Sequence, residues 1–412
     1  MIGRELIRTA INRNLRNGLS IGHSLEGSVS MESLIKFKHS PDHITLYADA
    51  SLKHATEDSF DRNRIDYYTN GQQSNTDFRN RYFNNRPDHG YSMTGKVTYS
   101  YLVKRGLFFD FSYKYNRTTS NRYSSLYRLD QLADWGINSE HELGILPSVD
   151  AYNRVMDIHN SYDSRQTDNT HTLGAFLVWN KRTTKSEWWA QLVPNLSLLS
   201  RTMHYHSGNV DTTFTKRSIL YNMYSTFIKW RSTDHKYEFM LQYHVNGQAP
   251  DMNLFVNILN TTDPLNVTMG NTNLKPSYKH ELISHFLRIY PKKGLMWLIE
   301  AQYIPTVNAI AMGYTYDKAT GKRTFRPDNV NGNWRGQLAL GGAGPLTKNR
   351  KLDFKAMAGL RYEKSVDLIG LAGTSAANRS IVESLNYIGD LQLNYRLGQS
   401  SIGFISKGNW AH

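Results

Sequence analysis

The sequence predicts an all-β fold, an antiparallel transmembrane β-barrel, on three observations. Apolar and polar residues alternate with period two over long stretches, many stretches outrun the five or six residues usual in soluble strands, and the connections between them alternate short and long. Alternation places neighbouring side chains on opposite faces of a strand. A strand crosses a bilayer at a tilt with roughly 9 to 11 residues, which these stretches supply.

About fourteen strands are recognised in chain order, near residues 33–38, 43–53, 92–104, 107–118, 169–180, 187–200, 217–231, 236–246, 278–290, 295–305, 333–343, 351–363, 384–396 and 400–410. The third sets Val97, Tyr99, Tyr101 and Val103 against Lys96, Thr98 and Ser100, and the fourth sets Phe109, Phe111 and Tyr113 against Asp110, Ser112 and Lys114. Later strands repeat this: Phe239, Leu241 and Tyr243 oppose Glu238, Gln242 and His244, and Phe354, Ala356 and Ala358 oppose Asp353 and Lys355. The polar face is too charged for the core of a β-sandwich.

Tight turns fall at 39–42, around Gly106, at 182–186, 232–234, 291–294, 345–350 and near Gly398, while long polar segments fill 54–91, 119–168, 201–216, 247–277, 306–332 and 364–383. Short periplasmic turns with longer extracellular loops are the habit of outer-membrane barrels. Residues 1–30 are weakly patterned, with room for a further strand and loop, and 31–412 form the barrel portion. Strand direction puts both ends of the sheet on the long-loop side, so further strands are expected beyond those recognised.

Composition narrows the classes. Cysteine is absent from the 412 residues, which excludes disulfide scaffolds, cysteine nucleophiles and zinc knuckles. Mean hydropathy is −0.56, and no apolar run approaches the roughly 20 residues of a membrane helix. The net charge of +14 comes from Lys and Arg scattered beside turns rather than clustered, so nucleic acid is not an expected partner and outer-membrane lipid or lipopolysaccharide is. The N-terminus has no apolar core or cleavage site of a signal peptide.

The segment from Gln248 to Leu282 carries Pro250, Leu254, Asp263-Pro264-Leu265-Asn266, Gly270-Asn271 and Leu274-Lys275-Pro276. It resembles a signature of TonB-dependent receptors of the Bacteroidetes type, and the likeness continues through a hairpin tip at Tyr316–Thr324, with Asp317 and Gly321, into Phe325–Leu340. Thr272-Asn273 departs from that pattern. The resemblance implies import of a large or scarce solute across the bacterial outer membrane, coupled through a plug domain to a TonB-type protein. The plug is missing from this chain, and the recognised strands fall short of the roughly 22 of plugged transporters, so part of a 22-strand barrel is expected. The residues themselves read as a structural loop: Gly270 permits positive φ, Asn271 tolerates it, and Lys275-Pro276 enforces an extended entry to the next strand. The other reading is a structural or adhesive barrel whose long loops bind a partner.

No catalytic, cofactor-binding or metal site is expected. His204 and His206 share a strand face, but the sequence fixes no third ligand beside them. Gly341–Gly344 lacks the Lys-Ser or Lys-Thr of a phosphate loop and reads as a strand end. Tyr91, Trp179, Trp188, Trp230, Trp297 and Trp334 sit where interfacial girdles belong. Tyr123, Tyr127 and Trp135, in a long loop, are candidates for solute contact.

Overall fold

A computed structural model describes residues 11–69, 71–371 and 378–411. The start of the weakly patterned segment, residues 1–10, and residues 372–377 of the expected 364–383 loop lie outside the described residues. Almost everything described is strand: β1 (Asn12–Lys36), β2 (His43–Thr69), β3 (Gln72–Lys104), β4 (Leu107–Arg128), β5 (Tyr162–Arg182), β6 (Ser186–Leu192), β7 (Pro194–Ser207), β8 (Val210–Ser232), β9 (Tyr237–Gln248), β10 (Asn266–Thr268), β11 (Ser277–Tyr290), β12 (Leu295–Val307), β13 (Ala309–Tyr316), β14 (Arg323–Val330), β15 (Asn333–Pro345), β16 (Leu352–Leu371), β17 (Asn378–Leu397) and β18 (Ser400–Ala411). All belong to one sheet. Among the described residues no helix is long and apolar enough to cross a membrane, which does not bear on strands.

The sheet is an antiparallel meander. β6 and β7 lie end to end between β5 and β8, so they form one rung interrupted at Val193. The hairpin β13–β14 and the short β10 stand outside the meander, touching β16 and each other by parallel pairs. With these set aside the meander has fourteen rungs, each containing one of the expected strands. The expected strand at 33–38 is the end of β1, which already begins at Asn12. Among the described residues β1 pairs only with β2, and β18 only with β17.

The short turns stand where the sequence put them. Gly106, Gly294 and Gly398 hold positive φ there (84°, 67° and 61°), as tight reversals require. The long connections are different from expectation. Residues 54–69 and 72–91 are not loop but the continuation of β2 and β3, and the same holds for 119–128, 162–168, most of 201–216 and 364–371. Above the bilayer neither face of a strand meets lipid, so the ladder continues while the apolar alternation that marks it in sequence stops.

Register explains why the apolar face is continuous. Leu46 pairs with Val97, Val97 with Tyr113, Tyr113 with Leu173, Leu173 with Leu196 and Leu196 with Tyr221. Nearer the short turns, Trp230, Phe239, Phe286, Ile299 and Leu340 form a second row. These side chains are left open: Val97 is 47%, Trp297 50% and Leu340 57% exposed. A contiguous apolar band of this extent is not a water-facing surface. It fits the outward belt of a membrane sheet.

The girdle residues flank that belt. Trp188 meets Trp230 edge-on at 6.5 Å near the short turns, with Trp179 and Trp297 at the same end. At the other end Trp334 packs between Tyr303 and Tyr362, at 5.7 and 4.8 Å. About nine to eleven residues of each strand, counted from its short turn, are taken as crossing the apolar layer. The remainder stands outside it.

Candidate functional site

One of the two long irregular segments among the described residues lies on the polar face of the extramembrane half. The 249–276 segment folds onto this face and builds a core of Met203, Met252, Phe255, Val256 and Leu274 against Tyr205 and Phe214. Asp251 starts a short 3₁₀ turn at Met252–Phe255, its carboxylate accepting from Asn253 N at 2.8 Å. Burial of Met252 and Phe255 then fixes the turn on the sheet.

Each signature residue has a definite place. Pro250 is buried, and its carbonyl accepts from Arg201 Nη1 at 2.6 Å. Asp263 Oδ1 accepts from the amides of Leu265 and Asn266 at 3.0 and 3.2 Å, closing the bend that contains Pro264. Leu274 lies in the core just described. Asn271 is buried, its Nδ2 donating to Pro327 O at 3.0 Å and its Oδ1 accepting from Asn273 N at 3.0 Å. Lys275 N donates to Asn329 Oδ1 at 2.7 Å, and Asn329 Nδ2 returns a bond to Lys275 O at 3.1 Å. Pro276 leads straight into β11.

Gly270 needs a different explanation from the one its sequence suggested. It is not among the positive-φ glycines. Its amide donates to Val256 O at 3.0 Å, and a Cβ there would lie 2.7 Å from Leu254 O and against the Val256 carbonyl. Glycine is required by the close approach of two backbones rather than by backbone handedness. Asn271, likewise outside the positive-φ set, acts through its side-chain amide.

A cavity of about 370 Å³ opens beneath this loop, lined by Tyr162, Tyr205, Asn253, Leu254, Met312 and Pro327 among others. Tyr162 and Tyr205 stack at 5.8 Å on its strand side. A larger one of about 550 Å³ lies beside the β13–β14 hairpin, with Lys279, Arg335, Glu363 and Asp367 around Ile304 and Val330. The first hollow pairs tyrosine walls with Asn160, Asn253 and Asn260, and the second carries both signs of charge, so the two suit a polar solute better than an apolar one.

Buried charge surrounds the loop. Arg201 is 5% exposed, and its Nε and Nη2 have no protein partner. Burial draws its guanidinium below the ordinary range against the pull of Asp168 and Asp251, and burial likewise pushes the Asp168 carboxyl up. Neither charge is neutralised by direct contact with the other. Further round the sheet Arg81 is almost wholly buried, bonded to Asp61 and to Thr262 O. Sequence reading missed Arg201, Arg81 and Asn329. They lie far in sequence from the loop they hold, and only the folded register brings them to it.

Two candidate sets change meaning. Tyr127 and Trp135, offered as solute contacts, are buried in a core with Phe60, Tyr82 and Leu129. That core lies on the apolar-belt side of β2–β4, because Phe60 shares the parity of Leu46 and Tyr127 that of Tyr113. Phe60, Tyr82 and Tyr127 stack in a ladder at 5.1 and 5.4 Å. Tyr123 is partly open, its hydroxyl accepting from Arg165 Nη2 at 3.3 Å. His204 gains a carboxylate that sequence spacing did not offer, Asp211 at 3.1 Å across the β7–β8 hairpin. Even so, no group of three metal-binding side chains exists among the described residues.

Residues 225–409 match the outer membrane protein beta-barrel family, which covers the signature loop and the strands after it. The chain resides in the bacterial outer membrane. No curated protein matches it. Among solved structures it is similar to the outer membrane transporter YddB from Escherichia coli (9% identity, TM-score 0.36, 94% of this chain and 68% of that one). It is also similar to BauA, the ferric preacinetobactin receptor from Acinetobacter baumannii (9%, 0.42, 96% and 61%), and to the ferric yersiniabactin uptake receptor FyuA from Yersinia pestis (9%, 0.38, 97% and 69%). The chain thus spans about two thirds of their length.

Proposed function

We propose that this chain is the barrel portion of a TonB-dependent-receptor-like transporter, which takes up a large or scarce solute and is not an enzyme. The observation that carries the reading is the signature-bearing loop. It folds inward onto the polar face, is tied at Arg201, Pro327 and Asn329, and leaves solute-sized hollows beside itself. In this reading the polar face lines the lumen, and the sheet closes as part of a barrel of about 22 strands, since lipid cannot satisfy an unpaired strand edge. Coupling to a TonB-type protein runs through a plug domain outside this chain.

The experiment compares uptake by cells that carry or lack the gene, with and without their TonB-type protein, across sugar polymers, peptides, siderophore complexes and cobalamins. One class should be lost in both deletions. A second reading, a structural or adhesive barrel, draws on the 129–161 segment, which packs on the outward side of β2–β4. Unchanged uptake of every class together with altered surface binding would favour it.

A further inference from the structure

His54 on β2 and His89 on β3 face each other at the level where the sheet leaves the apolar layer. Their Nδ1 atoms are 3.0 Å apart and their ring centroids 4.5 Å apart, and both residues are exposed. Parity puts them on the outward face, above Leu52 and Tyr91. The juxtaposition is built by irregularity: register slips between Lys53 and Glu57 on one ladder and between Arg86 and His89 on the next. A bulge that re-aims a side chain in this way is a recurrent device at functional positions. Beside the pair is a hollow of about 500 Å³, bordered by Leu25, Glu26, Tyr91 and Asn121.

A plain hydrogen bond between two imidazoles would use one Nδ1–H and one Nδ1 lone pair. The same spacing also suits two donors on one metal. With metal–nitrogen bonds of about 2.0 to 2.1 Å, nitrogens 3.0 Å apart subtend an angle of about 94° at the metal. That is near the right angle between neighbouring ligands of a tetragonal site and well short of a tetrahedral one. Imidazole donors with tetragonal geometry select Cu(II) or Ni(II), and Cu(II) heads the affinity order.

We propose that His54 and His89 form a surface site for Cu(II), bound through both Nδ1 atoms, with water in the remaining equatorial positions and the hollow giving access from outside. On binding, the Nδ1 proton shared between the rings moves by solvent exchange to the free Nε2 of its own ring, leaving two neutral Nε2–H imidazoles, and no oxidation state changes. The site is independent of the solute cavities on the opposite face, so it stands or falls separately from the transport reading.

The test uses the whole chain in detergent micelles, in a reference background where His204→Ala and His206→Ala remove the two histidines that share a face of β7. Aqueous Cu(II) is added at neutral pH, and stoichiometry by equilibrium dialysis is read with the electron paramagnetic resonance spectrum. The reference should bind one Cu(II) with a two-nitrogen hyperfine pattern. His54→Ala and His89→Ala should each abolish that pattern and weaken binding at least tenfold, and Zn(II) should bind at least tenfold more weakly than Cu(II). Gel mobility with and without boiling checks folding, and His54→Gln, which keeps a polar side chain of similar length, replaces His54→Ala if that variant misfolds. Equal stoichiometry and spectrum in the reference and the single variants would overturn the assignment, as would Zn(II) binding as tightly as Cu(II).

Discussion

The indole of Trp297 lies directly over Gly342 on the neighbouring strand, where a Cβ would come within 2.6 Å of Trp297 Cζ3. The glycine is the floor on which a girdle ring rests. Gly342→Val should therefore displace the ring and cost about 1 to 3 kcal/mol by overpacking. In a Trp297→Ala background the same change should cost markedly less, because the clash is gone. Urea unfolding midpoints of the four proteins measure the coupling, and additive effects would mean that the ring does not depend on the glycine.

The loop that covers the 370 Å³ cavity hangs on Gly270. Because the obstruction to a Cβ is backbone of Leu254 and Val256 rather than a movable side chain, Gly270→Ala should undock the segment while sparing the membrane strands. Limited proteolysis should then cut between residues 253 and 270 in the variant and leave the native protein intact there. Equal resistance would show that the loop tolerates the extra carbon.

Faces can be separated by charge. Leu241 shares the outward parity of Phe239, and Gln242 points to the polar side. Leu241→Arg should cost about 2 to 4 kcal/mol near mid-membrane, and Gln242→Arg close to nothing. Heat-modifiable gel mobility after refolding reads both, and equal damage would indicate a sheet buried on two sides.

One short turn carries an acid response. The Asp234 carboxyl, paired with Lys236 Nζ at 2.8 Å and accepting from Ser232 Oγ, is lowered from 3.8 to about 2. Its folded value lies below the unfolded one, so its contribution is complete above about pH 4 and is lost as pH falls through 2. Asp234→Asn should remove that part of the acid dependence between pH 4 and 2 and lower neutral stability by the same small amount, small because the pair is exposed. A titration of unfolding midpoints against pH, unchanged by the substitution, would contradict this.

The sequence was most informative where physics imposes one apolar and one polar face. The fourteen meander rungs and their short turns were readable because alternation at Val97–Val103 or Phe239–Val245 is enforced by lipid on one side. It failed where neither face meets lipid. Nothing in residues 54–91 distinguishes a long hairpin from a loop, since the side chains there no longer alternate by solvent. The break at Val193 was hidden for another reason: the register to β5 runs unbroken through it, and only pairing to β8 exposes the slip. The signature loop was visible as residue types, yet the role of Gly270 depends on an approach between residues fourteen or more apart, and Arg201 has no local mark that it would be buried against Pro250.

The most direct test of the account is the orientation of the sheet in living cells. The chain has no cysteine, so single cysteines can be introduced without background. A membrane-impermeant maleimide applied to intact cells should label Gln72→Cys and Ile137→Cys on the long-connection side and leave Lys292→Cys and Lys348→Cys unlabelled until the outer membrane is opened. Labelling of residues 292 and 348 in intact cells, with 72 and 137 protected, would contradict the assignment of outside and inside on which the transport reading rests.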